Sequence, residues 1–337
     1  MTRRFLHCLV AEVAFYSGLT HAWLSFRRRV LRQRPVCVIG LHRILTQEAR
    51  RQSNSQEGMV MTTETFHALL RYLRKCFDVV TLKDLCAGDG ARGRGSRPAC
   101  VLTFDDGWKD NFTTAWPILQ RHQIPATIFL ITGLVNGGRG SWIESLRAAC
   151  REPERARQIQ SKLDACMQCD SPADLDEQIE FLKHMPAAER QRLLGQLLPT
   201  PGHGYAAVDA MVSWDEIREM ARAGIEFGTH TVTHPLLTFE PDAVVDQELR
   251  ASKEILESVL GCRVTALAYP NGDWDDRVRK RVRHAGYDCA VTTRPGWYRP
   301  GDDLFTIKRV LLQEGNVTGW RGRFSPAMLH FTLLIWH

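Results

Sequence analysis

The sequence predicts an α/β fold: seven or eight strands interleaved with helices, closed or nearly closed into a barrel, with a helical insertion. Three observations lead there. Short apolar runs of strand length alternate with segments of helical periodicity, the pattern of parallel strands joined by crossover helices. The number of such runs favours a barrel over an open sheet, and no internal repeat divides the chain. The alternation breaks once, at 136–212, where Arg, Gln, Glu and Leu dominate without an evident strand and two or three helices are expected.

A first buried strand is expected at 36–45 (VCVIGLHRIL), followed by a polar loop at 47–61. Phe66, Leu69, Leu70 and Leu73 then recur at helical spacing within 62–77, and 77–82 (FDVVTL) reads as the next strand. The tract 88–98 is rich in Gly and Arg and lacks apolar residues, which marks an exposed loop. Strand, helix and strand follow at 99–104, 113–122 and 126–131. Beyond the insertion come a helix at 214–223, a strand at 225–229 and a helix at 243–260. A strand at 264–269, a helix at 276–285 and strands at 287–292 and 305–310 complete the array. These limits divide the chain into an N-terminal segment (1–34), a barrel (35–312) carrying the insertion 136–212, and a tail (313–337).

Composition bounds the partners. With 337 residues, 44% hydrophobic and 24% charged, the chain is globular, which excludes disordered and fibrous classes. The net charge of +6 is modest, and basic groups such as Arg27-Arg28-Arg29 and Arg279-Lys280-Arg281 lack interleaved aromatics, so no nucleic-acid partner is expected. Of ten cysteines, Cys37, Cys100 and Cys289 lie inside apolar runs, and a chain this long needs no staples; reduced, buried thiols are expected. The pair Cys166 and Cys169 has no second pair to complete a zinc knuckle.

At the N-terminus, Arg3-Arg4 precede an apolar run that Glu12, Ser17-Gly18 and His21 interrupt, without a cleavage site of small residues. The segment falls short of a membrane span. It reads as a helix with Leu6, Val10, Val13, Trp23 and Leu24 on apolar faces, packed on its own domain or in peripheral contact with an anionic membrane. Cytoplasmic placement, peripheral at the inner membrane, is expected, with export on an uncleaved anchor as the alternative. The apolar C-terminus MLHFTLLIWH is also too short to span.

Chemistry collects at strand ends. Asp105 and Asp106 follow the strand 99–104, where adjacent carboxylates repel and lose water unless a cation or proton is shared. His230 and His234 follow the strand 225–229, four apart, on one side of a helical turn. Two imidazoles and one carboxylate describe a catalytic divalent-metal site, with Zn2+ the first choice and Co2+, Mn2+ or Fe2+ the alternatives. The second carboxylate is then a general base.

TFDDG followed by HTVTHP resembles the polysaccharide deacetylase family with the NodB-homology domain, carbohydrate esterase family 4. LHRIL (41–45) is similar to the family's first-strand motif. FHALLRYLRKCFDVVTLKDL, IPATIFLITG, ALAYPNGDWDD and TIKRV fall in the expected order, so the resemblance covers 36–312. It implies a distorted (β/α) barrel in which Asp105 is the general base and Asp106, His230 and His234 are the metal ligands. The metal polarises the acetyl carbonyl and acidifies the attacking water, and the backbone N–H after the motif joins it in stabilising the oxyanion.

Two departures stand out. LAYPNGDW lacks the Arg that in many members precedes the proline (here Pro270), and TIKRVLL lacks the late His that protonates the leaving amine. The general acid is therefore unassigned, with His42 the candidate and Arg309 a supporting group at the barrel mouth. Asp273 and Trp274 form either part of the pocket wall or a turn. The implied reaction is metal-dependent removal of N-acetyl groups from amino sugars of a bacterial polysaccharide, oligosaccharide, glycolipid or lipid-linked precursor. Hydrolysis of an O-acetyl, formamide or other non-peptide C–N bond, or a non-catalytic carbohydrate-binding role, are the alternatives.

Overall fold

The computed structural model describes residues 2–19, 35–88, 97–136, 141–167, 173–198 and 207–335. The arginine run at 27–29, Trp23, Leu24, most of the Gly/Arg-rich tract and Cys169 lie outside the described residues.

Eight parallel strands form the main sheet: β1 (Val36–Leu41), β4 (Asp78–Val79), β5 (Ala99–Phe104), β6 (Thr127–Leu130), β7 (Glu226–Thr229), β8 (Ala266–Ala268), β9 (Cys289–Val291) and β10 (Val310–Leu311). Their order is β10-β1-β5-β6-β7-β8-β9, with β4 beside the start of β5. Ile307 bridges to Val291 and Val310 pairs with Ile39, so the chain at 307–311 draws the two sheet edges together. The result is a curled, distorted barrel surrounded by helices.

Residue alternation assigns the two faces. Val36, Val38, Val101, Phe129, Ala268 and Val291 fill the interior with Leu82 and Leu85. Cys37, Ile39, Leu41, Leu102, Phe104 and Leu130 face the covering helices. Both sets are buried, which is why these strands read as continuous apolar runs instead of alternating ones. Along β5 the inward phase passes through Val101 and Thr103 to Asp105. Gly228 also faces inward: a Cβ there would stand 2.6 Å from the Phe129 ring and 2.7 Å from the Ala266 carbonyl oxygen. His230 lies two residues on, in the same phase.

The helices have ordinary local causes. Thr62 caps the helix Thr63–Cys76 by accepting from the Thr65 N–H, Ser213 and Glu216 form a capping box on Trp214–Arg222, and Gly261 (φ 67°) ends Asp242–Leu260.

Several expectations are corrected. The first predicted strand is two: β1, and β2 (Arg43–Leu45), which leaves the barrel to pair with β3 (Val60–Thr62) in a separate two-stranded sheet. The loop at 47–61 contains the helix Gln47–Gln52, capped by Thr46. Among the described residues the insertion holds four α-helices, Trp142–Ala149, Pro153–Met167, Leu175–Lys183 and Ala187–Leu197, around a small core of its own that includes Leu146, Leu163 and Leu182. The last predicted strand opens with a 3-10 turn, Leu304–Thr306. In the N-terminal helix Thr2–Tyr16, the packed side carries Cys8 and Ala11, which meet Ala327 and Met328 of the helix Pro326–Ile335. Leu6, Val10 and Val13, expected on apolar faces, lie on the exposed side of this helix. Leu329 and Leu333 tie the Pro326–Ile335 helix to the main core, and Tyr72 Oη meets His330 Nε2 at 2.7 Å.

Candidate active site

β5 and β7 end on the same rim of the barrel, with β6 between them in the sheet, and their terminal side chains converge. Asp106 Oδ1 stands 3.6 Å from His230 Nε2, and the two Nε2 atoms of His230 and His234 are 3.2 Å apart. One donor atom from each of the three residues lies within 4.8 Å of the others.

Backbone strain sets this geometry. Of six non-glycine residues with positive φ among the described residues, Asp106 (74°), Thr231 (67°) and His234 (59°) are at the site. Such conformations cost about 1–3 kcal/mol each and persist where surrounding bonds enforce them. Here Thr231 Oγ1 accepts from the His234 N–H, and Glu248 accepts from the Val232 and Thr233 N–H groups and the Thr233 hydroxyl. On the other loop, Gly107 (φ 80°) cannot carry a side chain, since a Cβ would stand 2.6 Å from Leu130 Cδ2.

Protonation follows from the neighbours. The His230 Nδ1–H donates to the Ala268 carbonyl at 2.8 Å, which leaves the Nε2 lone pair facing His234 and Asp106. Burial pushes His230 down to about 4, and burial with the adjacent imidazole pushes His234 down to about 3. Two neutral imidazoles thus turn lone pairs toward one carboxylate oxygen. That donor set is mutually repulsive when empty and fits a zinc-type divalent cation. The Trp108 indole N–H donates to Asp106 Oδ2 at 2.9 Å, orienting the third donor.

Asp105 is held differently. Arg309 grips it with two bonds, 2.8 Å to Oδ1 and 2.7 Å to Oδ2, and also donates to Thr103 Oγ1 and the Thr292 carbonyl. The guanidinium runs past Gly40, where a Cβ would lie 3.5 Å from its Nη1. Burial alone would raise the Asp105 pKa, but Arg309, helped by His230 and His42, holds it well below the usual carboxylate range. His42 Nε2 stands 4.0 Å from Asp105 Oδ2, and its side chain keeps 20% exposure. Asn111 fixes its position by donating to the His42 carbonyl at 2.9 Å. After the motif, the Gly107 N–H bonds the Asp105 carbonyl and the Lys109 N–H bonds Ala210. Trp108 bridges antiparallel to Met211 between the flanking bonds, so its own N–H turns away from that partner.

The six sequence-predicted residues, Asp105, Asp106, His230, His234, His42 and Arg309, are thus assembled on one rim. Asn271 Nδ2 donates to the Asp273 carboxylate at 2.9 Å at the end of the 3-10 turn Pro270–Gly272, and Trp274 lies under Arg279 and Arg294.

Sequence reasoning missed two buried groups. Arg43, next to His42, is fully buried, stacks 4.3 Å over Trp108 and donates to Asp110, Asp209, Ser53, Ser55 and the Val208 carbonyl. It ties the returning end of the insertion to the motif loop. Glu144, on the insertion helix Trp142–Ala149, is 1% exposed, and its Oε2 has no partner among the described residues. Burial, with repulsion from Asp106 adding to it, pushes its pKa up to about 7. The LHR triplet offered a signal for Arg43; nothing in the sequence singles out Glu144.

Comparison with known proteins agrees with this architecture. YxkH of Bacillus subtilis (strain 168), named for polysaccharide deacetylases, is 22% identical over 230 residues, 68% of this chain; the chain spans 57% of that relative's length. The deacetylase PplD of Streptococcus pyogenes, solved with acetate, superposes with TM-score 0.60 at 19% identity over 89% of this chain and 98% of its own. IcaB from Ammonifex degensii gives 0.56 at 18% identity, over 90% and 98%. BC0361, a polysaccharide deacetylase from Bacillus cereus, gives 0.55 at 22%, over 83% and 66%. At these identities the solved structures speak for a shared fold. The polysaccharide deacetylase family model matches residues 92–290, more than half of the sequence and the stretch that holds Asp105, Asp106, His230 and His234, and the chain belongs to that family.

Proposed function

We propose that the protein is a metal-dependent hydrolase that removes N-acetyl groups from amino sugars of a bacterial polysaccharide, oligosaccharide, glycolipid or lipid-linked precursor. The observation that carries this reading is the clustering of Asp106, His230 and His234 donor atoms within 4.8 Å beside an Asp105 clamped by Arg309. A divalent cation held by those three residues, zinc first by its donor set, supplies Lewis-acid polarisation of the acetyl carbonyl. Asp105, ionised and aimed by Arg309, accepts the proton of the attacking water. The Trp108 backbone N–H donates to the oxygen that becomes negative at the tetrahedral stage. His42, the solvent-reached group facing Asp105, delivers a proton to the departing amine. The insertion, fastened to the motif loop through Arg43, walls the cleft and contributes to substrate choice.

The test is acetate release from a panel of N-acetylated oligosaccharides and lipid-linked sugars, with zinc and with chelator. Asp105→Asn is expected to lower the rate by about 10²–10⁴-fold with bound zinc unchanged. His42→Ala is expected to lose a similar factor on amides and little on an aryl acetate, whose leaving group needs no proton. Absence of bound metal, or equal losses on amide and aryl ester, would refute the respective assignments.

A further inference from the structure

The outer side of the N-terminal helix is an exposed apolar face. Helix Thr2–Tyr16 buries Cys8 and Ala11 against the helix Pro326–Ile335, and Phe15 meets His330 edge to face at 5.0 Å. Its opposite side presents Phe5, Leu6, Leu9, Val10, Val13 and Tyr16, each between 46% and 77% exposed. Leu6, Leu9, Val10 and Val13 follow i, i+3, i+4, i+7 spacing and so form one continuous stripe. Trp320 extends it: the ring is 54% exposed, lies edge-on to Phe5 at 6.4 Å and carries the Arg321 guanidinium 4.5 Å from its centroid. A contiguous apolar face of this kind marks an interaction site.

Charge and length decide the occupant. Residues 1–35 contain seven arginines against one acid, Glu12, whose carboxylate sits to the side near Gly319. An apolar stripe with the aromatics Tyr16 and Trp320 and the Arg321 guanidinium at its edge, in a segment of this basic composition, complements anionic headgroups over an acyl layer. Fifteen residues of helix extend about 22 Å, short of the about 30 Å hydrocarbon core. No helix among the described residues is long and apolar enough to cross a membrane. We infer that this face is a membrane-docking surface: the helix lies in the plane of an anionic bilayer, with the Phe5 to Tyr16 stripe and Trp320 at the acyl boundary. The inference stands independently of the proposed reaction.

Co-sedimentation of the full chain with vesicles of phosphatidylcholine alone, and with phosphatidylglycerol added, tests it. Binding is expected with the anionic vesicles, weakened about tenfold or more by high salt. The triple variant Leu6→Glu, Leu9→Glu, Val13→Glu is expected to lose roughly 100-fold in partitioning. Its circular dichroism should match the parent, since these side chains leave the core untouched. As a check that needs no destabilising change, bromine-labelled lipid should quench parental fluorescence more than that of Trp320→Phe. Failure of the parent chain to bind anionic vesicles would overturn the inference. So would a dimer in sedimentation velocity that becomes monomeric in the triple variant without vesicle binding, which would assign the face to a second copy.

Discussion

Replacing Arg309 with methionine isolates the contribution of the Asp105 clamp. The pair is enclosed, Arg309 fully buried and Asp105 2% exposed, with bonds of 2.8 and 2.7 Å. Arg309→Met keeps most of the side-chain volume but strands a carboxylate, at a cost of about 3–5 kcal/mol. Lost bonds to Thr103 and Thr292 add roughly 1 kcal/mol. Asp105→Asn strands the guanidinium in the same way. The double variant strands neither charge, so its cost should fall short of the sum by roughly 3 kcal/mol. Urea unfolding at pH 7 of the parent, both single variants and the double variant measures this coupling directly. Additive losses, or a single-variant cost below about 1 kcal/mol, would refute the view that the clamp is an enclosed ion pair.

Glu144 makes a signed prediction about pH. Its folded pKa of about 7 lies above the ordinary 4.5, so between these values the folded state binds the proton more tightly than the unfolded chain. Stability is therefore fully present below about pH 4.5 and falls as pH rises through 7, by about 3 kcal/mol in total. Glu144→Gln should flatten that part of the stability curve relative to the parent; an unchanged slope would show that the carboxyl is not buried. Gly228→Ala should lower stability by about 1–3 kcal/mol, because the added methyl meets Phe129 and the Ala266 carbonyl; an unchanged melting temperature would contradict the interior packing.

The elements most legible in the sequence were those whose signal is local. β1, β5 and β6 are buried on both faces and announce themselves as unbroken apolar runs, and each motif sits directly after its strand. His230 and His234 are four residues apart, and Asp105 and Asp106 are adjacent, so no tertiary knowledge was needed to pair them. What escaped depends on distant partners. Arg43 is satisfied by Asp110, 67 residues away, and by Asp209, 166 residues away, which no window of sequence brings together. The break between β1 and β2 is invisible because Leu41 and Ile44 are equally apolar; the turn arises where Asn111 takes the His42 carbonyl and Asp110 takes the Ile44 N–H. Apolar periodicity in the N-terminal helix left two placements open, and the smaller residues Cys8 and Ala11 make the internal contact while the stripe turns outward.

The pairing of Ile39 with Val310 has a consequence for synthesis on the ribosome. Asp105 and Arg309 are 204 residues apart, so a nascent chain carries the carboxylate long before its counter-charge emerges. Until then the acid has no guanidinium against it, and the first and last edges of the sheet are not yet joined. Closure of contacts so far apart in sequence is entropically late. Premature termination between His234 and Lys308 would therefore leave Asp105, Asp106, His230 and His234 all synthesised and Asp105 unclamped. Completion of the rim that holds Asp105 is timed by the last-made part of the ring.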